Sequence, residues 1–456
     1  MKAACIGSGY VGSVTGAALA ALGHPTTIID IDPKRVVMIN GGKSPLYEPG
    51  LERLIRECTG QGMLSASTSY DAVAEADVVF IAVGTPSLPD GTADLSYVRT
   101  ASGQLGRHLD PDRFTVIVMK STVPVGTADL VASVLEQASG LRAREHFAVV
   151  SNPEFLREGY ALEDVFLPDR IVIGADQPEA FERLRELYAS LLNRSSYDRL
   201  SALFPFPYSP GSAPAVYFET DPKSAELIKY VSNAFLSVKI SYINEVARLC
   251  ETLGANVLDV AKGMGLDSRI GGKFLEVSSG WSGSCFPKDT AELLSVSRKY
   301  ESELTLVKAA VLSNEAMMNY CVRKVQNRLK TLNGKAVGIL GLTFKPNTDD
   351  ARQTQASAMI RKLTGLGASV SAHDPQGMEM FARLNPELPV RYCSNPEDVA
   401  TRADAVILLT HWREYGELDW RQMGEAMRHP YVLDTRNFLL RLPFGQWGVC
   451  YEGIGI

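Results

Sequence analysis

Cys285 stands among small and polar residues, in the run Ser278-Ser279-Gly280-Trp281-Ser282-Gly283-Ser284-Cys285-Phe286-Pro287-Lys288-Asp289. A glycine-rich loop with a cation nearby suits an accessible thiolate, the form of sulfur that attacks carbonyl carbon. A lone cysteine is also commonly a small buried hydrophobe, the reading that fits Cys5, Cys58, Cys250, Cys321, Cys393 and Cys450. The residues alone leave Cys285 open between the two. Lys229, Asn233, Ser237 and Ser241 recur every four residues in an otherwise apolar run, so they fall on one helical stripe. A solvated stripe would mix Glu, Lys and Arg. One lysine followed by small hydrogen-bonding groups reads instead as the lining of a polar cavity, where a desolvated lysine acts on protons or stabilises an oxyanion.

A second constellation lies at the start of the chain. Gly7-Ser8-Gly9-Tyr10-Val11-Gly12 follows an apolar run and opens a stretch of small residues, and Asp30 closes the next apolar run eighteen residues after Gly12. Glycines there let the backbone turn tightly and approach a pyrophosphate at a helix N-terminus, while the acid takes ribose hydroxyls. An acid at that position favours NAD over NADP, and Arg35 nearby softens the preference. Thr85-Pro86 and Thr122 stand at equivalent strand ends, where they could meet a ribose, a nicotinamide or a water. Glu154 and Glu158 fall just after another strand, either as compensation of a helix dipole or as acid/base groups. Lys345 and Arg352 suit an anionic phosphate, or are simply surface cations. No His-Glu-x-x-His or Cys-x-x-Cys pairing occurs, so no metal is expected.

The elements that must position these groups alternate strand and helix. Candidate strands are 3–6, 26–29, 78–83, 114–119, 147–150 and 171–173, and again 337–340, 369–371, 405–409 and 431–433. Between the two sets, 222–254 and 304–329 carry helical periodicity, the first as a long apolar helix of the core or dimer-interface kind. The expected fold is α/β: two Rossmann-like, doubly wound parallel sheets joined by a long central helix and helical region. A chain of 456 residues exceeds what one hydrophobic core supports. The expected division is 1–205, 206–320 and 321–456, with 193–218, rich in proline, as a loop or linker. Seven scattered cysteines argue against a disulfide framework. A net charge of −6 argues against general nucleic-acid binding. No apolar window long enough for a membrane span and no signal-peptide pattern are present, so a cytoplasmic protein is expected.

Together the motifs resemble the UDP-glucose 6-dehydrogenase family of nucleotide-sugar dehydrogenases over essentially the whole chain. The matching segments are Gly-x-Gly-Tyr-Val-Gly at 7–12, Tyr47-Glu48-Pro49-Gly50-Leu51, Val83-Gly84-Thr85-Pro86, 121–127, 152–159, 168–174, 284–289 and 341–346. The resemblance implies an NAD-binding domain, a central dimerisation region and a C-terminal domain for the UDP part of a substrate. It implies oxidation of UDP-glucose to UDP-glucuronate with two NAD and one water, through a covalent intermediate on Cys285. Lys229, Asn233 and Asp289 would surround the thiol, with Glu154 and Thr122 serving proton transfer and water placement. Glu158, Arg352 and Lys288 match cofactor positions. Glu154, Phe155, Leu156, Phe344 and Lys345 match substrate positions, as do Phe274, Leu275, Ser278 and Ser282. Arg269 matches an arginine that reaches a partner subunit's site in a homodimer. The chain departs from the family pattern at Trp281-Ser282-Gly283, where paired glycines are usual, and at Gln353-Thr354-Gln355, where Ser-Pro commonly follows the arginine. Competing readings are a sister enzyme for TDP-glucose, GDP-mannose or a UDP-N-acetylhexosamine, a single-hydride dehydrogenase of the 6-phosphogluconate type, and a catalytically silent nucleotide-sugar binder. Ser284, where the acetylhexosamine group usually has His, disfavours that sister enzyme.

Overall fold

Short β-branched and aliphatic runs form strands here because both of their faces are covered, and successive residues feed opposite layers. In β1 (Ala3–Ile6), Ala3 and Cys5 pack into one hydrophobic layer while Ala4 and Ile6 pack into another. The computed structural model describes residues 1–203, 207–208 and 213–456. They form two units, Met1–Val231 and Ser232–Ile456, and the long helix Pro222–Leu253 begins in the first and ends in the second.

The first unit adds β2 (Thr26–Ile29), β3 (Leu64–Ser67), β4 (Val78–Ile81), β5 (Thr115–Met119), β6 (Phe147–Ser151), β7 (Arg170–Gly174) and β8 (Val216–Thr220) in the order β3-β2-β1-β4-β5-β6-β7-β8. Neighbours pair in parallel, as expected, except that β6 and β7, inside the sheet, meet antiparallel at Ser151 and Gly174. The second unit carries β9 (Ala336–Leu340), β10 (Ser369–His373), β11 (Val390–Tyr392), β12 (Ala405–Leu408), β13 (Tyr431–Asp434) and β14 (Cys450–Glu452), all parallel, in the order β11-β10-β9-β12-β13-β14. That is the order of β3 to β6 repeated.

The stretch 193–218 is not simply a loop. It contains the helix Tyr197–Leu203 and the start of β8. Pro205, Pro210 and Gly211, and with them the expected boundary at 205/206, lie outside the described residues. No helix among the described residues is long and apolar enough to cross a membrane.

Candidate active site

The turn after β1 is shaped by two glycines and opened by a third. Gly7 has φ +103°, and a Cβ there would stand 2.6 Å from Ala82 O. A Cβ on Gly12 would stand 1.9 Å from Gly7 O, so only glycine lets the helix Tyr10–Leu22 lie so close to its own entry turn. Gly9 has nothing within 4 Å of its Cβ position. The helix starts there without a side-chain cap, and its first-turn N–H groups, which no helix carbonyl can take, border that space. A pyrophosphate fits such a cradle. Asp30 fastens the turn: its Oδ2 accepts from Ser8 N and Ser8 Oγ, both at 2.6 Å, and its Oδ1 from Asp32 N at 2.9 Å. A carboxylate has about four acceptor positions, so lone pairs remain for ribose hydroxyls. Arg35 leans over the turn, 3.4 Å from Ser8 O and 3.8 Å from Asp32.

Buried Glu48 ties this turn to the chain after β6. Its Oε2 accepts from Tyr10 Oη and from Gly159 N at 2.6 Å, and its Oε1 from Ala161 N at 2.7 Å. Burial and the Glu48 charge push the Tyr10 hydroxyl far above the usual tyrosine range, and the Glu158 charge adds to this.

The carboxyl ends of β4, β5 and β6 converge nearby. Thr85 Oγ1 donates to Thr122 O at 2.8 Å, and Ser121 Oγ to Val83 O at 2.6 Å, which joins the loops after β4 and β5. Lys229 Nζ lies 2.9 Å from Glu154 Oε1, both side chains buried, and 5.4 Å from the centre of the Phe155 ring. Burial alone would raise the Glu154 carboxyl, but Lys229 and the Leu156 N–H hold it below its ordinary value. A cavity of about 10 Å³, water-sized, is lined by Thr122, Ser151, Glu226 and Lys229 among others. Glu226 caps the neighbouring helix through Gly126 N (2.7 Å) and Ala128 N (2.9 Å), and burial raises its carboxyl.

In the second unit Cys285 begins the helix Phe286–Lys299. It is exposed, whereas five of the other six free cysteines are buried and Cys450 is half-buried. Burial pushes Cys5 and Cys321 up to about 12 and Cys58 up to about 11, which leaves those thiols protonated and inert. The positive end of the helix favours negative charge at Cys285. One turn on, Asp289 Oδ2 accepts from Asn233 Nδ2 at 2.6 Å, while its buried Oδ1 has no hydrogen-bond donor and lies 3.6 Å from Lys288 Nζ. The loop ahead of the thiol is clamped. Trp281 Nε1 donates to Ser241 Oγ (2.9 Å), Trp281 O accepts from Asn314 Nδ2 (2.9 Å) and Gln355 Nε2 (2.8 Å), and Ser278 N donates to Asn244 (2.9 Å). A Cβ on Gly283, at φ +87°, would come 2.9 Å from the Phe344 ring.

Residues 1–192 match the NAD binding domain of the UDP-glucose/GDP-mannose dehydrogenase family, residues 223–316 its central domain and residues 338–441 its UDP binding domain. A UDP-glucose 6-dehydrogenase of Rhizobium meliloti (strain 1021) is 42% identical over 461 residues, which span 100% of this chain and 99% of that protein. The chain belongs to the UDP-glucose/GDP-mannose dehydrogenase family. A UDP-glucose 6-dehydrogenase of Bacillus subtilis (strain 168) is 40% identical over 100% of this chain and 98% of its own. Among solved structures, a UDP-glucose dehydrogenase from Pyrobaculum islandicum is similar with a TM-score of 0.87 at 38% identity, covering 100% of this chain and 97% of that one. A UDP-D-ManNAc dehydrogenase from Pyrococcus horikoshii reaches 0.83 at 26% identity, covering 100% and 99%. The family fold thus accommodates more than one sugar.

Within each unit of this family member, most residues singled out from the sequence come together. Gly7, Gly9, Tyr10, Val11, Gly12, Asp30 and Arg35 make one cradle, and Thr85, Thr122, Glu154 and Lys229 lie at adjoining strand ends. Asn233, Cys285, Lys288 and Asp289 gather at one helix start. Several others are engaged within the chain itself. Leu275 is packed in the hydrophobic core. Arg352 is paired through two nitrogens with Asp350 (2.9 and 2.8 Å), and Arg269 with Asp267 (2.6 Å). Ser237 donates to Asn233 O in its own helix, and with Ser241 holding Trp281, the polar stripe positions a loop rather than lining a cavity along its length. Sequence reasoning passed over Glu48, Lys120, Gln355 and Arg436, the last of which braces Leu409 O (2.9 Å) and Phe344 O (3.5 Å). Glu48 lay inside a matching motif, and Lys120 directly before Ser121-Thr122. Their partners are distant in sequence, so only the fold reveals them.

Proposed function

We propose that the chain oxidises UDP-glucose to UDP-glucuronate, with NAD, when bound, accepting a hydride from C6 in each of two steps. The observation that carries the reading is the one exposed thiol at a helix start, one turn from a buried carboxylate that is itself held by Asn233. The Glu154–Lys229 pair takes the proton of the C6 hydroxyl as the alcohol becomes an aldehyde. The Cys285 thiolate then adds to the aldehyde carbon, forming a C–S bond and an alkoxide that Lys229 and Asn233 stabilise. Loss of the second hydride from that carbon leaves a thioester. Water attacks it, Asp289 takes one of the water's protons, and the C–S bond breaks to restore the thiolate and release the acid, which loses its remaining proton to solvent. Asp289 Oδ1, buried and without a hydrogen-bond donor among the described residues, with Lys288 Nζ 3.6 Å away, is the oxygen that would meet that water. Phe274, Ser278, Ser282, Phe344 and Lys345 hold the nucleotide sugar, and Glu158, Lys288 and Arg352 assist the cofactor. We keep the division 1–205, 206–320 and 321–456 as cofactor, central and UDP-sugar regions, and place the enzyme in the cytoplasm as a homodimer in which Arg269, exposed on this chain, reaches the partner's site.

The test is the end-point yield of NADH per UDP-glucose consumed with NAD in excess. Two equivalents are expected, with no acid formed by Cys285→Ala. One equivalent would mean that the aldehyde escapes and the thiol does not act as described. No NADH from UDP-glucose, but NADH from UDP-N-acetylmannosamine or GDP-mannose, would move the activity to a sister substrate.

A further inference from the structure

Lys120, the residue after β5, is a cation that the steps above do not use. Its Nζ donates to Asn152 Oδ1 at 3.0 Å, an oxygen that also accepts from Tyr188 Oη at 2.7 Å. Asn152 is buried and anchored by its own Nδ2 to Val172 O at 2.8 Å, and it lies two residues before Glu154. Among the described residues no carboxylate lies within 4.0 Å of the Lys120 ammonium, so its charge is left for the surroundings to feel. The groups facing it are Glu154 from the chain after β6, Lys229 from the long helix and the Cys5 thiol from β1, with Tyr188 sharing its acceptor. Two ammonium groups and the Glu154 carboxylate therefore share a poorly solvated space. Each cation opposes protonation of the other.

We infer that Lys120 is a positioning residue of the reaction centre: through Asn152 it fixes the chain that carries Glu154, and its charge decides how readily the Glu154–Lys229 pair gives up and takes a proton. Burial presses Lys120 down to about 8, with Glu154 opposing and Lys229 adding to the shift, which agrees with a crowded cationic cluster. An alcohol oxidation needs a base that takes the hydroxyl proton near neutral pH. The inference rests on the proposed reading of the site, because it takes Glu154 and Lys229 as the proton-handling pair.

Lys120→Gln keeps an N–H donor near Asn152 and removes the charge; Lys120→Arg keeps the charge. Rate–pH profiles with UDP-glucose would be measured for both beside the wild type, together with thermal midpoints. Losing a neighbouring positive charge raises the proton affinity of the remaining pair. The acid limb of kcat in Lys120→Gln should therefore move up by about one pH unit, with about a tenfold loss of kcat at neutral pH, little change in KM for NAD, and the limb restored in Lys120→Arg. Two NADH per UDP-glucose from the wild type separates the underlying reading from this one. An activity-free readout covers an inactive or poorly folded Gln variant: trace acetylation of Lys229 against pH, followed by peptide mass spectrometry, in Lys120→Gln and in Lys120→Met. Its midpoint should rise in whichever variant folds. An unmoved acid limb with an unmoved Lys229 midpoint in a folded variant, or a Lys120→Arg enzyme shifted as far as Lys120→Gln, overturns the inference.

Discussion

Glu154 and Lys229 are each almost fully buried, and neither would be stable as a lone charge at 8% and 4% exposure. Glu154→Gln keeps the shape and an acceptor for Leu156 N but removes the carboxylate charge 2.9 Å from the Lys229 ammonium. Breaking a buried pair from one side costs about 3–5 kcal/mol, and the retained amide oxygen places this case near about 3 kcal/mol in urea unfolding at neutral pH. The carboxyl is held below its ordinary value of 4.5 in the folded protein. Its contribution to stability is therefore fully present above that value and is lost as the pH falls through the folded value. The gap between wild type and Glu154→Gln should narrow as the pH falls well below 4.5, and a gap that stays constant throughout that acid range would show that charge is not its source. Such residues were legible in the sequence because chemistry requires their types at strand ends. Glu48 and Lys120 were not, since a buried polar group gains its meaning from partners that sequence does not name: Gly159 for Glu48, Asn152 for Lys120.

The loop that presents Cys285 is an element made by contacts among parts far apart in the chain. The two segments that depart from the family pattern meet there: Gln355 Nε2 donates to Trp281 O (2.8 Å), and Gly283 N to Gln353 O (3.3 Å). The main chain of one altered segment is thus held by a side chain from the other. Gln355→Ala removes one of the two side-chain donors to that carbonyl, a net loss of about 1 kcal/mol. Looser placement of the thiol should lower kcat about tenfold while KM for NAD stays unchanged, and amide exchange at 280–285 should quicken. Unaltered kcat and exchange would mean that Asn314 and Ser241 suffice. Strand legibility follows a similar rule. Ten strands announce themselves as apolar runs, but β3, β8, β11 and β14 do not, and these are the four sheet edges. An edge strand is covered on fewer sides, so sequences such as Leu64–Ser67 and Val390–Tyr392 need no continuous apolar run.

At the scale of the whole chain, the second unit repeats the strand order of the first and its turn device. Gly341 at φ +99° answers Gly7, and Asp374 accepts from Thr343 N and Thr343 Oγ1 (both 3.0 Å) as Asp30 does from Ser8. The copies differ where a ribose would bind, because Asp374 is fully buried and also receives Trp412 Nε1 at 3.1 Å. The likeness of the halves was legible from their strand alternation; the closing of one acid was not, because Trp412 lies 38 residues away. The long helix meanwhile exposes Leu227, Val231, Phe235, Tyr242, Leu249 and Leu253 at 40–70%, a stripe at helical spacing that water does not favour. Each such side chain is worth about 1.5–3 kcal/mol when buried, so a second copy of the helix is a strong partner for it. Light scattering should give the wild type twice the chain mass of 49.6 kDa, and Phe235→Glu with Leu249→Glu should return it to 49.6 kDa. If Arg269 completes the partner's site, the charged double variant should also lose turnover, and enzyme brought to high concentration should regain part of it by mass action. A wild type that runs at the single-chain mass with full activity would leave both the stripe and Arg269 without the role proposed for them.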